Sequence, residues 1–485
     1  MIQIRLKSEY YSYDVFHIVK AFFPIDKIER QVDESLEPMV QIEWSANEKI
    51  CILEEDIKQG MDQIKIEYLE QYETAAAKKK HIVNMLLYHF LEETTKKSLD
   101  WGILTGIRPT KIAMKELERG KTKEEVIAWM QEHYLVSGEK AVLGVEIALW
   151  EIELLKKLDY QNGYSLYVGI PFCPTTCSYC SFTSFPLHLW KNRVDEYLDA
   201  LCKEITFVGQ VSKQKKLNSI YIGGGTPTTL EEEQLDRLLC HIEDTFSFDA
   251  LQEITVEAGR PDSITKGKLE VLRRHSISRI SINPQTMNQK TLDKIGRKHT
   301  VEDIIVVYQM ARDLGFDNIN MDLIMGLPGE SLEETAHTLK EIKKLQPDSL
   351  TIHSLAMKRA SRLGQMQREE VDIEKEAHQM SEMIHLAAAY AKDMELKPYY
   401  LYRQKNIAGN FENVGYAKVD KAGIYNILIM EEKQSIVAVG AGASTKIVLP
   451  RKKDNIVRIE NVKDIDLYIA RMDEMIERKG EWLWR

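Results

Sequence analysis

The sequence predicts an α/β chain organised around a partial (β/α)6 TIM-like barrel. An N-terminal α/β plus helical domain precedes the barrel and a small C-terminal α/β cap follows it. Two observations carry this prediction. First, strand-like runs recur six times, at Leu166–Ile170, Ser219–Gly224, Glu253–Ala258, Arg279–Asn283, Asn318–Ile324 and Ser349–Leu355. Each is followed by an amphipathic helical run: Val194–Phe207, Glu232–Phe246, Lys266–Arg274, Val301–Leu314, Leu332–Leu345 and Glu374–Met394. Strands alternating with helices make a parallel sheet, and right-handed crossovers curl it. Six units fall short of the usual eight-stranded closure. Second, glycine-rich or polar motifs sit at successive strand C-termini, where a barrel turns them all toward one cavity. A doubly wound open sheet is the structural alternative.

The flanking regions read in order. Residues 1–160 form the first domain. Ile2, Ile4 and Leu6 alternate like a strand, and Val15, Ile18, Val19 and Phe22 mark one helical face. Short strand-like runs follow at Val40–Trp44, Ile50–Leu53 and Ile64–Tyr68, then a long helix near Glu73–Thr95. Pro109 suits a helix start, with Arg108 and Lys111 beside it. The barrel occupies 161–395. In the cap, 396–485, Lys397–Gln404, Ile424–Ile429 and Ser435–Gly442 read as strands, and a helix is expected over Asp464–Arg478.

The chain has 485 residues, 44% hydrophobic and 29% charged, with a formal net charge of −10. That composition excludes global disorder, and the acidic balance disfavours nucleic acid as a partner. The start MIQIRLKSEYY lacks an apolar signal region, and no stretch is long enough to span a membrane. Six cysteines without a secretion signal point to reduced thiols and a cytoplasmic location.

Three cysteines are not scattered. Cys173, Cys177 and Cys180 lie in YVGIPFCPTTCSYC, on the loop after the first barrel strand. Three close thiolates can hold three irons of a four-iron cluster, leaving the fourth open to a small molecule. A zinc site would pair C-x2-C with a second knuckle, and there is none. GGGTPT, Gly223–Thr228, follows the second strand and lets a ligand approach the backbone. It lacks the spacing of a P-loop or a dinucleotide fingerprint. Glu257 ends the third strand, where a carboxylate can accept from hydroxyls or an ammonium. Gln285 and Arg297 follow the fourth strand. Asp322 is an acid on an apolar strand, readable as an ion-pair partner of Arg297. His353 ends the sixth strand, and Lys358, Arg359 and Arg362 come next.

Taken in order, the CxxxCxxC loop, GGGTPT, Gln285, GRKHT and DLIMGLP resemble the radical S-adenosylmethionine superfamily. Within it the chain is similar to the oxygen-independent coproporphyrinogen III oxidases (dehydrogenases), in a long HemZ-like branch. The resemblance spans roughly residues 165–360, and GAGAS (Gly440–Ser444) extends it. It implies a radical SAM barrel with a [4Fe–4S] cluster on Cys173, Cys177 and Cys180 and S-adenosylmethionine on the free iron. By position, Tyr167, Gly224 and Glu257 match residues around this cofactor. Gly225, Thr226, Gln285, Arg297, Asp322 and Ala356 match residues around a second molecule or the substrate space. Tyr179 and Ala443 are further matches. The implied reaction takes a hydrogen from a propionate of coproporphyrinogen III. Loss of carbon dioxide and one electron leaves a vinyl group, and two rounds give protoporphyrinogen IX. A tetrapyrrole with four carboxylates calls for cations, and Lys358, Arg359, Arg362 and Arg403 are the candidates. An electron donor such as a flavodoxin or ferredoxin is the implied partner.

The chain departs from the family pattern at three places. Phe182 stands where a fourth cysteine is frequent, Gly169 where His is common, and Met325 where Tyr is common. Phe182 resembles the sister branch of heme-binding chaperones. Two further readings therefore stand beside the dehydrogenase: a heme-binding or heme-delivery protein, and another radical reaction on a tetrapyrrole.

Overall fold

The computed structural model describes residues 1–24, 26–45, 48–63, 72, 74–180, 184–355, 373–403, 411–449 and 456–484. They group into two compact units. The first comprises Met1–Leu149, Asp372–Ala377 and Leu401–Glu412; the second comprises Trp150–Val371, His378–Tyr400 and Asn413–Arg485.

In the first unit four strands, β1 (Ile2–Leu6), β2 (Ile28–Val32), β3 (Val40–Ser45) and β4 (Glu48–Ile52), pair in the order β2-β1-β3-β4. The alternating Ile2, Ile4 and Leu6 are buried, and so are Val15, Ile18, Val19 and Phe22 of the helix Ser12–Phe22. With Ile82, Val83, Leu87 and Leu91 of the helix Ala75–Thr95 they form one core. Strand β2 was not anticipated. Its sequence IERQV has no apolar alternation because it is an exposed edge, held by parallel pairing with β1. The strand expected at Ile64–Tyr68 lies outside the described residues. Pro109 does stand at the start of a helix, Thr110–Glu118. Lys140 and Glu412, both buried, pair at 2.6 Å, and Trp101 Nε1 donates to the same carboxylate at 3.0 Å.

The second unit is built on one open sheet. Six parallel strands follow one another in sequence: β5 (Gly163–Ile170), β6 (Lys216–Gly224), β7 (Glu253–Gly259), β8 (Arg279–Ile282), β9 (Ile319–Met325) and β10 (Ser349–Ser354). Their helices are Val194–Val211, Glu232–Thr245, Lys266–Arg274, Val301–Asp313, Leu332–Leu345 and Ile373–Asp393, close to expectation. The sheet does not stop at six. β11 (Lys397–Arg403) and β12 (Glu412–Ala417) continue beyond β10, with β12 antiparallel to it. At the other end β13 (Ser435–Val439) pairs parallel to β5, followed by antiparallel β14 (Ser444–Val448) and β15 (Ile456–Glu460). The C-terminal strands therefore extend the sheet at both edges.

Ile424–Ile429, expected as a strand, is a helix over Ile424–Glu431. Its β-branched composition suggested the wrong element. Glu253, at the start of β7, accepts from the amides of Ile424 (2.8 Å) and Tyr425 (3.2 Å) and so caps the first turn. The terminal helix is two, Ile465–Ala470 and Met472–Gly480.

Period-two alternation sorts each barrel strand into an apolar and a polar face. Leu166, Val168, Ile220, Ile222, Val256, Ile280, Leu323 and Leu350 are buried on one side. The other side is polar: Tyr167 lies opposite Tyr221, Tyr221 and Arg279 opposite Thr255, and Asp322 opposite Thr351. This buried polar face carries the site. Among the described residues no helix is long and apolar enough to cross a membrane.

Candidate active site at the strand ends

Pro171 ends β5, and the loop that follows holds Cys173, Cys177 and Cys180 as thiols outside any disulfide, with Cys177 buried and the other two half-buried. Backbone bonds pin this loop from two directions. The Gly225 and Thr226 amides donate to Ile170 O and Phe172 O, each at 2.7 Å, and the Ser178 amide donates to Ile295 O at 3.1 Å. A Cβ on Gly225 would stand 2.5 Å from Phe172 O, so the close approach requires glycine here. Burial pushes the Cys173 thiol up, against a weaker pull from the Thr226 hydroxyl, which donates to its sulfur at 3.6 Å. Arg260 Nη1 donates to Cys177 Sγ at 3.6 Å. Among the described residues, the one trio of metal-type ligand atoms gathered within 4.8 Å is Asp236, Cys240 and His275 on the outer helices. The loop sulfurs are thus not collected for a single ion, and the donor set fits a wider thiolate-bound cluster.

Beside the loop lies the polar face of the sheet. Glu257 accepts from Tyr221 OH at 2.5 Å and from the Gly224 amide at 3.3 Å. A Cβ on Gly223 would lie 2.8 Å from its Oε2. Burial pushes the Glu257 carboxyl up to about 7, with Asp322 adding to the rise and the Tyr221 hydroxyl opposing it. Tyr167, Tyr221 and Tyr425 stack, with centroids 6.2 Å apart for the first pair and 4.4 Å for Tyr221–Tyr425. Burial also raises Tyr167.

Asp322 is not paired with Arg297. It accepts from Asn320 Nδ2 at 2.7 Å and faces His353 Nε2 at 3.8 Å. Burial pushes Asp322 up, but His353, Asn320 and Thr351 together outweigh it and hold the carboxyl below its usual range. Arg297 instead donates to Asn283 O (2.5 Å) and Tyr179 OH (3.2 Å), beside the cluster loop. Gln285 sits in left-handed backbone (φ 68°), its amide and carbonyl continuing the pairing with β9. A non-glycine residue held there stores strain, a feature common at functional sites. The buried Gln285 Oε1, Asn283 Oδ1 and Arg297 Nε have no partner among the described residues. Buried polar atoms are rarely left so, and three on one rim fit a ligand that completes them.

Ala443 closes the turn after β13, its amide donating to Gly440 O at 3.2 Å. That turn abuts the end of β5, where Tyr197 OH donates to Gly169 O at 2.6 Å and accepts from the Ala441 amide at 3.1 Å. Ala356, Lys358, Arg359, Arg362 and Phe182 lie outside the described residues. Arg403 belongs to the first unit and is buried, its guanidinium donating to Leu104 O. Burial pushes it down to about 10, with Glu412 opposing. Sequence reasoning missed Tyr221, Tyr425, Arg260 and Glu204. Tyr221 had a signal, its polar-face position two residues before Gly223; the others had none.

A radical SAM superfamily model matches residues 167–342. The chain is 42% identical over 408 residues to the oxygen-independent coproporphyrinogen-III oxidase-like protein HemZ of Bacillus subtilis, covering 83% of this chain and 81% of that one. It is 38% identical over 192 residues to the heme chaperone HemW of the same organism, covering 39% of this chain and half of the relative. The solved coproporphyrinogen III oxidase (HemN) of Escherichia coli, a radical SAM enzyme, superposes with a TM-score of 0.52. That match has 23% identity over 67% of this chain and 72% of the other, and it shows the shared fold. With the thiol loop, the polar strand ends and this extent of likeness, the chain belongs to the radical SAM superfamily, among the HemZ-like coproporphyrinogen-III oxidase-like proteins.

Proposed function

We propose that this protein carries out oxygen-independent oxidative decarboxylation of coproporphyrinogen III, converting two propionates to vinyl groups. The observation that carries the reading is the juxtaposition of three thiols on one loop with a rim of buried polar atoms that lack a partner among the described residues. The likeness to HemZ over most of both chains supports it. The family's cofactors are a [4Fe–4S] cluster and S-adenosylmethionine, which when bound supply a carbon radical by one-electron cleavage of a sulfonium. Cys173, Cys177 and Cys180 hold the cluster. The backbone of Gly223–Thr226 and the Glu257 carboxylate orient the cofactor's polar groups. Gln285, Arg297 and Asp322 present the remaining donors and acceptors, and the stacked Tyr167, Tyr221 and Tyr425 keep water out of the polar face. Lys358, Arg359 and Arg362 meet the substrate's carboxylates. Each propionate loses one hydrogen atom, one electron and carbon dioxide. An external one-electron acceptor is therefore needed as well as the donor that feeds the cluster.

A second reading, heme binding or delivery, draws on Phe182 at the fourth-cysteine position and on the partial match to HemW. One anaerobic experiment separates the readings: reconstituted protein with S-adenosylmethionine, reductant and coproporphyrinogen III, followed by mass spectrometry. Protoporphyrinogen that disappears in Cys177→Ala supports the dehydrogenase. Deoxyadenosine with unchanged porphyrinogen rejects this substrate. Neither product, with heme retained on the protein, moves the assignment to the chaperone.

A further inference from the structure

Arg260 follows the end of β7, is 3% exposed, and points its guanidinium at the cysteine loop. Two of its nitrogens are already committed. Nε and Nη2 grip Asp262 Oδ1 and Oδ2 at 2.9 and 2.7 Å, a two-pronged pairing that fixes the plane of the group. Asp262 in turn faces His299 Nδ1 at 3.6 Å. The remaining nitrogen, Nη1, reaches Thr175 O at 3.0 Å, Thr175 Oγ1 at 2.9 Å and Cys177 Sγ at 3.6 Å. Thr175 Oγ1 also donates to Gly296 O at 3.2 Å. One side chain thus ties three segments together: the end of β7, the cysteine loop and the GRKHT stretch.

The geometry points to Arg260 as the residue that clamps the cysteine loop and tunes the bound cluster by donating an N–H to the Cys177 sulfur. The inference rests on Cys173, Cys177 and Cys180 being the cluster's ligands. Hydrogen bonds to ligand sulfur and local charge are among the terms that set a cluster's potential. Reduction adds negative charge to the cluster, and an N–H donor fixed at a sulfur stabilises that added charge. Asp262 offsets the guanidinium's charge at longer range but does not redirect the N–H aimed at Cys177. Lysine cannot substitute, because a point charge on a flexible stem lacks the fork that engages Asp262 and Thr175 together.

The test is an EPR-monitored redox titration of the iron-loaded protein and its Arg260→Met variant. The expected result is a more negative midpoint in the variant, with the reduced-to-oxidised ratio at a fixed potential falling about tenfold, about 59 mV for one electron. A fully loaded variant whose ratio stays within about threefold of wild type overturns the inference. If Arg260→Met takes up less iron, the titration is made on Arg260→Gln, whose amide ends where Arg260 Nε stands and so carries neither the charge nor an N–H to Cys177 Sγ. A wild-type midpoint there overturns the inference equally. Failure of both variants to hold iron, with wild-type circular dichroism and melting, supports the clamp. A wild-type protein that takes up no iron, or a Cys177→Ala variant that keeps all of it, sinks the ligand assignment instead.

Discussion

Glu204 and Lys479 make a buried knot whose disruption has a calculable consequence. Both are 0% exposed. Glu204 Oε1 accepts from Lys479 Nζ at 2.6 Å and Asn461 Nδ2 at 2.8 Å, while Oε2 accepts from the Gly440 amide at 2.9 Å and Tyr468 OH at 2.5 Å. Lys479 Nζ also donates to Asn461 Oδ1 at 2.6 Å. The knot joins the helix Val194–Val211, the C-terminal helices and the Gly440–Ala443 turn. Glu204→Gln preserves shape but removes the charge, leaving a buried ammonium with only neutral acceptors and an amide NH2 facing other donors. Breaking a buried pair from one side costs about 3–5 kcal/mol. Urea unfolding followed by fluorescence and circular dichroism measures this as a lower midpoint at unchanged slope. Removing both charges in Glu204→Gln/Lys479→Met eliminates the stranded ion, so the double variant should be more stable than the sum of the singles by at least about 1 kcal/mol. A Glu204→Gln protein within about 1 kcal/mol of wild type, or strict additivity in the double variant, would refute the reasoning.

Three other outcomes are expected. Glu257 is held up to about 7 against an ordinary 4.5, so the folded protein keeps a proton that the unfolded chain releases. Its contribution is full below pH 4.5 and is lost as pH rises to 7, by about 3 kcal/mol, so Glu257→Gln should flatten that decline in the cofactor-free protein; an unchanged pH slope in urea melts excludes it. Gly225→Ala places a methyl 2.5 Å from Phe172 O and 2.9 Å from Ile170 O, both backbone, and should cost about 1–3 kcal/mol with reduced iron uptake; full iron and a wild-type melting curve contradict the requirement. Charge reversal at Lys358, Arg359 and Arg362 should weaken coproporphyrinogen binding at least about tenfold, about 1.4 kcal/mol, while S-adenosylmethionine cleavage persists; unchanged affinity removes these residues from the substrate site.

The barrel was legible because its strands bury both faces yet keep a chemical alternation. Ile220 and Ile222 face one way and Tyr221 and Gly223 the other, and that repeat marks each strand and its end. The polar members of the alternation, Glu257 and Asp322, were found for the same reason. What the sequence hid depends on partners far along the chain. Glu204 on an amphipathic helix looks like one more solvated acid until Lys479, 275 residues away, closes on it. Arg260 follows its strand with no periodic neighbour, and only the fold brings Cys177 to it across 83 residues. The helix at Ile424–Glu431 owes its first turn to Glu253, 171 residues earlier.

Gly169 shows how a departure from family pattern becomes intelligible only at this level. A Cβ there would lie 3.2 Å from Val439 O, and one on Gly440 would lie 2.5 Å from Gly169 O and 2.9 Å from Tyr197 OH. The two glycines face each other where β13 pairs with β5, and the turn they permit is the one that Glu204 and Tyr197 hold. A side chain at 169 asks the Val439 carbonyl to give by a few tenths of an ångström. Gly169, the tight turn at Gly440 and the buried Glu204–Lys479 pair therefore meet at one place, through residues that no local reading of the sequence could join.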